Sequence, residues 1–194
     1  MHKVHRESPS YSDVNSKSPY TKYKDDLKKD FHGCCGYCGS PDFIWGGKSG
    51  FQIDHFAPKS KFPDLIEIYK NLIYACPICN RGKSNKWPSD DSSVSIRNEE
   101  GFVHPCKDEY ATHLSRNEFG VITANTKVGD YMHTSLKLGL KRHQIIWLME
   151  ELHYLMKEVE KYIDKSSELK ERYRDLAVEF FQYNEILRKS IDDR

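Results

Sequence analysis

His32-Gly33-Cys34-Cys35-Gly36-Tyr37-Cys38-Gly39 and Cys76-Pro77-Ile78-Cys79-Asn80, with 37 residues between Cys38 and Cys76, decide the reading of this chain. Each Cys-x-x-Cys turn brings two thiolates within reach of one ion, and two such turns complete a tetrahedral site. The glycines permit the tight knuckle turn. Tetrahedral sulfur chemistry points to zinc or to an iron–sulfur centre. No redox fold accompanies the pairs, so the reading is structural Zn²⁺ held by Cys35, Cys38, Cys76 and Cys79. A closed four-thiolate site leaves no open position for catalysis. Its task is to clamp the two ends of the segment between the knuckles. Cys34 is an alternative to Cys35, but the two-residue spacing of the second knuckle favours Cys35. Cys106, near His104 and His113, raises a second metal site, against which a buried or free thiol is the preferred reading.

Outward from the knuckles, Phe51-Gln52-Ile53 alternates as a short strand and Asn71-Leu72-Ile73-Tyr74-Ala75 reads as a more apolar one. Pro77 in the first turn and Cys76 at the cap position open a short helix that Trp87-Pro88 ends. Upstream, Tyr20, Tyr23, Leu27 and Phe31 recur at helical spacing. Downstream, Val128, Met132 and Leu136 open a helix that Gly139 closes, and Phe119–Ile122 reads as a small hairpin edge. Ile145 to Ile163 and Leu169 to Leu187 carry two amphipathic stripes, expected to pair as an antiparallel hairpin across Asp164–Ser167. The fold class is α+β, and four regions are expected. A flexible arm covers 1–19, a metal-stabilised core 20–90, an irregular connector 91–125 and a helical region 126–194. The helical stripes serve mainly for packing, with a docking surface on the remainder.

The 194 residues are enough for a real core. Thirty Lys and Arg against 29 Asp and Glu give a formal charge of +1, which excludes a binder held by bulk positive charge. Any affinity for nucleic acid must be local. Between His55 and Trp87 six basic residues face two acidic ones, a local charge of +4 before the −2 of a Zn(Cys)₄ centre is subtracted. Lys59, Lys61, Arg81 and Lys83 are the expected phosphate contacts, and such contacts position a backbone without reading its sequence. No apolar run is long enough to span a bilayer, and the polar N-terminus lacks the apolar region of a secretory signal. The expected compartment is the cytoplasm.

Cys35-Gly-Tyr-Cys38, Ile53-Asp54-His55-Phe56-Ala57-Pro58-Lys59-Ser60, Asn71-Leu72 and Cys76-Pro-Ile-Cys79-Asn80-Arg-Gly-Lys83 together resemble the HNH endonuclease family, with its ββα-metal fold. The resemblance covers roughly residues 30–88, and the family's last His is Asn80 here. It implies a metal-dependent endonuclease, most often on DNA, leaving a 5′-phosphate and a 3′-hydroxyl. His55 would be the general base, and its ordinary pKa near 6.5 suits proton abstraction at neutral pH. Asp54 and Asn80 would offer hard oxygen ligands to one catalytic Mg²⁺ or Mn²⁺. Asn71 would fix the loop that aims His55. Adjacent strand residues face opposite ways, so the strand must end or bend at Asp54-His55 for both to address one phosphate. The pattern at Asp54–Ser60, Pro63-Asp-Leu65 and Val128–Met132 is similar to the HNH subunits of Septu-type anti-phage systems. That implies a defence role beside an ATPase partner. The rival readings are a zinc-ribbon module that binds nucleic acid without cutting it, and a scaffold subunit activated only by a partner.

Overall fold

A computed structural model of the protein describes residues 2–192. The chain forms two compact units, Met1–Asn117 with Ile122–Gly139, and Glu118–Val121 with Leu140–Arg194.

At the centre of the first unit, β1 (Gln52–His55) pairs antiparallel with β2 (Leu72–Ala75), Gln52 opposite Ala75 and His55 opposite Leu72. Every residue of β2 is buried, as its unbroken apolar run requires. β1 continues past the expected Phe51–Ile53 and includes Asp54 and His55 as its last two residues. Phe56 N still bonds the carbonyl of Asn71 at 2.8 Å, but Asn71 N donates to Ile68 O at 2.9 Å instead of returning the bond, so the pairing ends there. α2 (Pro77–Lys83) follows β2 directly, with Pro77 in its first turn and Cys76 as the N-cap, whose sulfur accepts from Cys79 N. It ends before Trp87, because Ser84 turns to φ +50°.

A short 3₁₀ turn at Tyr20–Tyr23 leads into α1 (Lys24–Asp30), which buries Leu27. The first knuckle then passes so close to this region that a Cβ on Gly36 would lie 2.6 Å from the Phe31 ring and 2.8 Å from Ile73. Only glycine fits there. Two small hairpins, β3 (Ile96–Arg97) with β4 (Glu100–Gly101) and β5 (Leu114–Arg116) with β6 (Ile122–Ala124), complete the sheets, with α3 (Tyr110–His113) running into β5.

Residues 2–19, expected as a flexible arm, lie along this unit. His2 bridges to Arg116, Val4 is buried, and the Tyr11 hydroxyl donates to Leu72 O at 2.8 Å. Arg116 explains part of this order. It is fully buried and donates to Val4 O and to Cys38 O, so it ties the N-terminus and the first knuckle together. α4 (Lys127–Ser135) also packs here, with Met132 buried and its sulfur accepting from Val103 N. The helical unit therefore begins at Leu140, later than the expected 126. In that unit α5 (Lys141–Glu160) and α6 (Ser167–Asp192) pack against each other across a short turn, as their apolar stripes predict.

His104 carries a pH-dependent share of stability. Its Nδ1 accepts from Cys106 N at 3.2 Å and its Nε2 meets the Tyr11 hydroxyl at 3.1 Å. The Tyr11 proton is already given to Leu72 O, so Nε2 donates and the ring must be neutral. Burial lowers its pKa to about 4. Between that value and 6.5 the unfolded chain binds a proton that the folded chain does not, so stability falls as pH falls through this window. From pH 7 to pH 5 this one group removes about 2 kcal/mol. Urea unfolding at both values is expected to show a correspondingly smaller loss for His104→Gln, which keeps a donor and an acceptor but cannot titrate.

Candidate functional site

The knuckles place their four sulfurs within 4.8 Å of one another, all buried. The member of the first knuckle is Cys35, and Cys34 stands outside the group. Cys38 Sγ and Cys76 Sγ are 3.9 Å apart, close to the roughly 3.8 Å edge of a tetrahedron with 2.3 Å metal–sulfur bonds. Without a cation the four could not all ionise. Cys38 and Cys79 are pushed up by burial and then by the neighbouring sulfurs, while Cys76 is lowered because those neighbours hydrogen-bond to it. The donor set therefore fits a metal ion. Cys106 belongs to no such group among the described residues. Its thiol is pushed up to about 12 by burial, the protonated state expected of an inert cysteine.

Beside this centre opens a cleft of about 810 Å³, lined by Asp54, His55, Asn80, Lys59 and Arg81 together with Tyr20, Thr21, Lys24 and Gln52. His55 ends β1, and its Nε2 lies 3.1 Å from Ile66 O. A carbonyl only accepts, so Nε2 carries the proton and Nδ1 keeps the lone pair. The Tyr20 ring meets the imidazole edge-on with centroids 4.7 Å apart. Burial, with help from Lys59 and Lys83, lowers the His55 pKa against the opposing Ile66 bond. The imidazole is therefore neutral near pH 7.

Asn80 and Asp54 reach the same cleft through matched registers. Asn80 Nδ2 donates to Gln52 Oε1 at 2.5 Å, which commits its amide nitrogen and leaves its amide oxygen as the atom able to meet a cation. Three residues on, Lys83 meets Asp54, two residues after Gln52 on β1. One face of α2 thus lies along one face of β1. Asp54 Oδ2 accepts from the Tyr37 hydroxyl at 2.5 Å and sits 3.4 Å from Lys83 Nζ. Burial raises the Asp54 pKa, and Lys83 and Tyr37 oppose that rise.

Asn71 stands behind the cleft. Its side chain bonds both Ala57 N and Ala57 O, and Nδ2 also donates to Leu65 O at 3.2 Å. It therefore ties the two ends of the loop that supplies Ile66 O to His55.

Two of the four expected phosphate contacts lie elsewhere. Lys83 has no exposed surface. Its ammonium donates to His55 O at 2.9 Å and pairs with Asp54, so it is withdrawn from any phosphate. Lys61 donates to Trp87 O and does not line the cleft. Tyr20, Thr21 and Lys24 were not anticipated, because a helix-initiating segment carries no sign of the wall it will face. Gln52 and Tyr37 were legible only as the polar position of a strand and the filler of a knuckle.

Residues 35–86 match the HNH endonuclease family. The matched span contains both cysteine knuckles, β1, β2 and α2, while the cleft wall from Tyr20 to Lys24 lies outside it. The chain is also similar to the Septu protein PtuB of Bacillus mycoides (strain KBAB4), 32% identical over 134 residues, covering 56% of this chain and 44% of PtuB. To the Septu protein PtuA of the same strain it is 26% identical over 148 residues, covering 66% of this chain and 20% of PtuA. The chain thus spans less than half the length of these two relatives. No solved structure matches it. Among the described residues no helix is long and apolar enough to cross a membrane.

Proposed function

We propose that this protein is a metal-dependent endonuclease that hydrolyses phosphodiester bonds in nucleic acid, DNA being the favoured substrate. The observation that carries the reading is the convergence of a neutral, oriented imidazole and two oxygen donors on one basic-rimmed cleft beside a four-cysteine centre. His55 Nδ1 takes the proton of the attacking water. Ile66 O holds the opposite nitrogen, so the ring cannot turn its proton toward that water. Asp54 and the Asn80 amide oxygen hold one Mg²⁺ or Mn²⁺ ion, hard donors for a hard cation. Such an ion supplies charge neutralisation at the phosphate and stabilises the departing oxygen. Lys59, Arg81 and Lys24, all lining the cleft, bind the flanking phosphates. Asn71 keeps the loop closed behind His55. Attack at phosphorus leaves a 5′-phosphate and a 3′-hydroxyl. The four cysteines hold Zn²⁺, because a sulfur-only tetrahedral set in a non-redox fold favours it.

The likeness to the two Septu proteins supports a role in anti-phage defence beside a partner of the PtuA kind, an ATPase by the resemblance stated above. The site is then cytoplasmic, where its substrate would be.

Plasmid DNA and a structured RNA of equal length, each incubated with the zinc-loaded protein and Mg²⁺ or Mn²⁺, test this. Nicking that EDTA stops, with ligatable 5′-phosphate ends, is expected, and DNA is cut faster. Binding without cleavage under every divalent ion, with and without the partner, would leave the non-catalytic zinc-ribbon reading in possession.

A further inference from the structure

Two buried groups converge on Asp54 from the elements that the four-cysteine centre holds. Tyr37 lies inside the first knuckle, between Cys35 and Cys38, and is fully buried. Its backbone carbonyl accepts from the Tyr110 hydroxyl at 2.6 Å, and its own hydroxyl donates to Asp54 Oδ2 at 2.5 Å. Lys83 is on α2, the helix that Cys76 caps and that carries Cys79. Its ammonium sits 3.4 Å from the same Oδ2 and donates to His55 O. The Phe102 and Phe56 rings flank it at 5.5 and 6.0 Å.

A carboxylate that only had to be neutralised would need the lysine alone. Here a second donor from another element is placed on the oxygen the lysine already meets. Both partners on Oδ2 leave Oδ1 for the cleft that Asp54 lines. We infer that Tyr37 and Lys83 are positioning residues that anchor one oxygen of Asp54, so that a cleft cation meets the other in a fixed direction. The knuckles then act beyond stability, because the first of them carries the hydroxyl that aims a ligand of the second metal. Lys83 extends the same control to the backbone of His55. This inference rests on the reading of Asp54 as a ligand of the catalytic ion.

Partners that hold a metal ligand typically change metal affinity 10–100-fold when removed. The test is Mn²⁺ binding to the full-length, zinc-loaded protein, followed by the loss of the free-ion electron paramagnetic resonance signal. Plasmid nicking is titrated with Mn²⁺ in parallel. Tyr37→Phe removes one oxygen atom and keeps the ring. It is expected to retain its zinc, to bind Mn²⁺ at least about 10-fold more weakly, and to recover most of its limiting rate at saturating Mn²⁺. A purely structural role would lower zinc content or melting temperature and leave the Mn²⁺ affinity of the folded protein alone. Unchanged Mn²⁺ affinity in zinc-loaded Tyr37→Phe overturns the inference and leaves the nuclease reading standing. Should Tyr37→Phe fail to hold zinc, Lys83→Gln is titrated and judged by the same two outcomes. Mn²⁺ affinity that is equal in wild type and Asp54→Ala would sink the metal-ligand reading itself, and this inference with it.

Discussion

His55→Ala is expected to lower nucleic-acid cleavage by about 10²–10⁴-fold, the usual share of a general base, while zinc content and nucleic-acid affinity stay close to wild type. The expectation follows from how the ring is held. His55 is the last residue of β1, so its backbone is fixed by pairing with Leu72, and Nε2 is committed to Ile66 O. The lone pair on Nδ1 is then the only basic site the ring offers. Its lowered pKa, caused first by burial, means the base is not taken out of use by a proton near pH 7. Alanine removes the lone pair, one donor to a loop carbonyl and the edge contact with Tyr20, a stability cost of roughly 2 kcal/mol, too small to unfold a domain clamped at its four-cysteine centre. Loss of nicking together with loss of zinc would mark the variant as misfolded rather than catalytically impaired. Undiminished nicking by a zinc-loaded variant would remove His55 from the mechanism and point to a base held elsewhere in the cleft.

Local chemistry was legible wherever one residue type leaves few choices. Two cysteines at a two-residue spacing can share an ion in few ways, and the four sulfurs meet as the spacing requires. The long stripes from Ile145 and Leu169 became α5 and α6 because an amphipathic period sustained over several turns has few competing readings. Lysine misled for a physical reason. On composition a lysine belongs at the surface, and nothing in Gly82-Lys83-Ser84 announces that its ammonium will be buried against Asp54. Lys59 and Arg81, read by the same logic, did reach the cleft. The arm was misread because its order comes from distant partners, Arg116 and Leu72, and not from any period of its own. The same holds for Tyr20. Its contact with His55 joins residues 35 positions apart, a pairing that only the fold supplies.

Removing the four-cysteine metal should have the largest effect on the molecule as a whole. Zn²⁺ in small structural sites contributes roughly 10–16 kcal/mol of apparent folding free energy near pH 7, against about 5–15 kcal/mol of net stability for an ordinary domain. The size of the β1–β2 sheet makes the comparison pertinent. It has two strands of four residues each, and a lone two-stranded sheet is marginal in water. The cysteines join its surroundings at three points. Cys35 Sγ accepts from Cys76 N at 3.3 Å, Cys76 caps α2, and Cys38 O accepts from buried Arg116. Cys79→Ser is therefore expected to lose the metal, its near-ultraviolet circular dichroism and all cleavage together. Wild type treated with a chelator strong enough to strip zinc is expected to do the same. Cys34→Ser serves as the control, because Cys34 stands outside the sulfur group and is only partly buried. It should keep one zinc per chain and an unchanged melting temperature. A folded, cooperatively melting Cys79→Ser protein with no metal would show that the hydrophobic packing of Phe31, Tyr37, Phe51, Ile73 and Tyr74 holds the hairpin and helix by itself. The clamp would then be dispensable, and the geometry of Asp54 and His55 would have to be explained by packing alone.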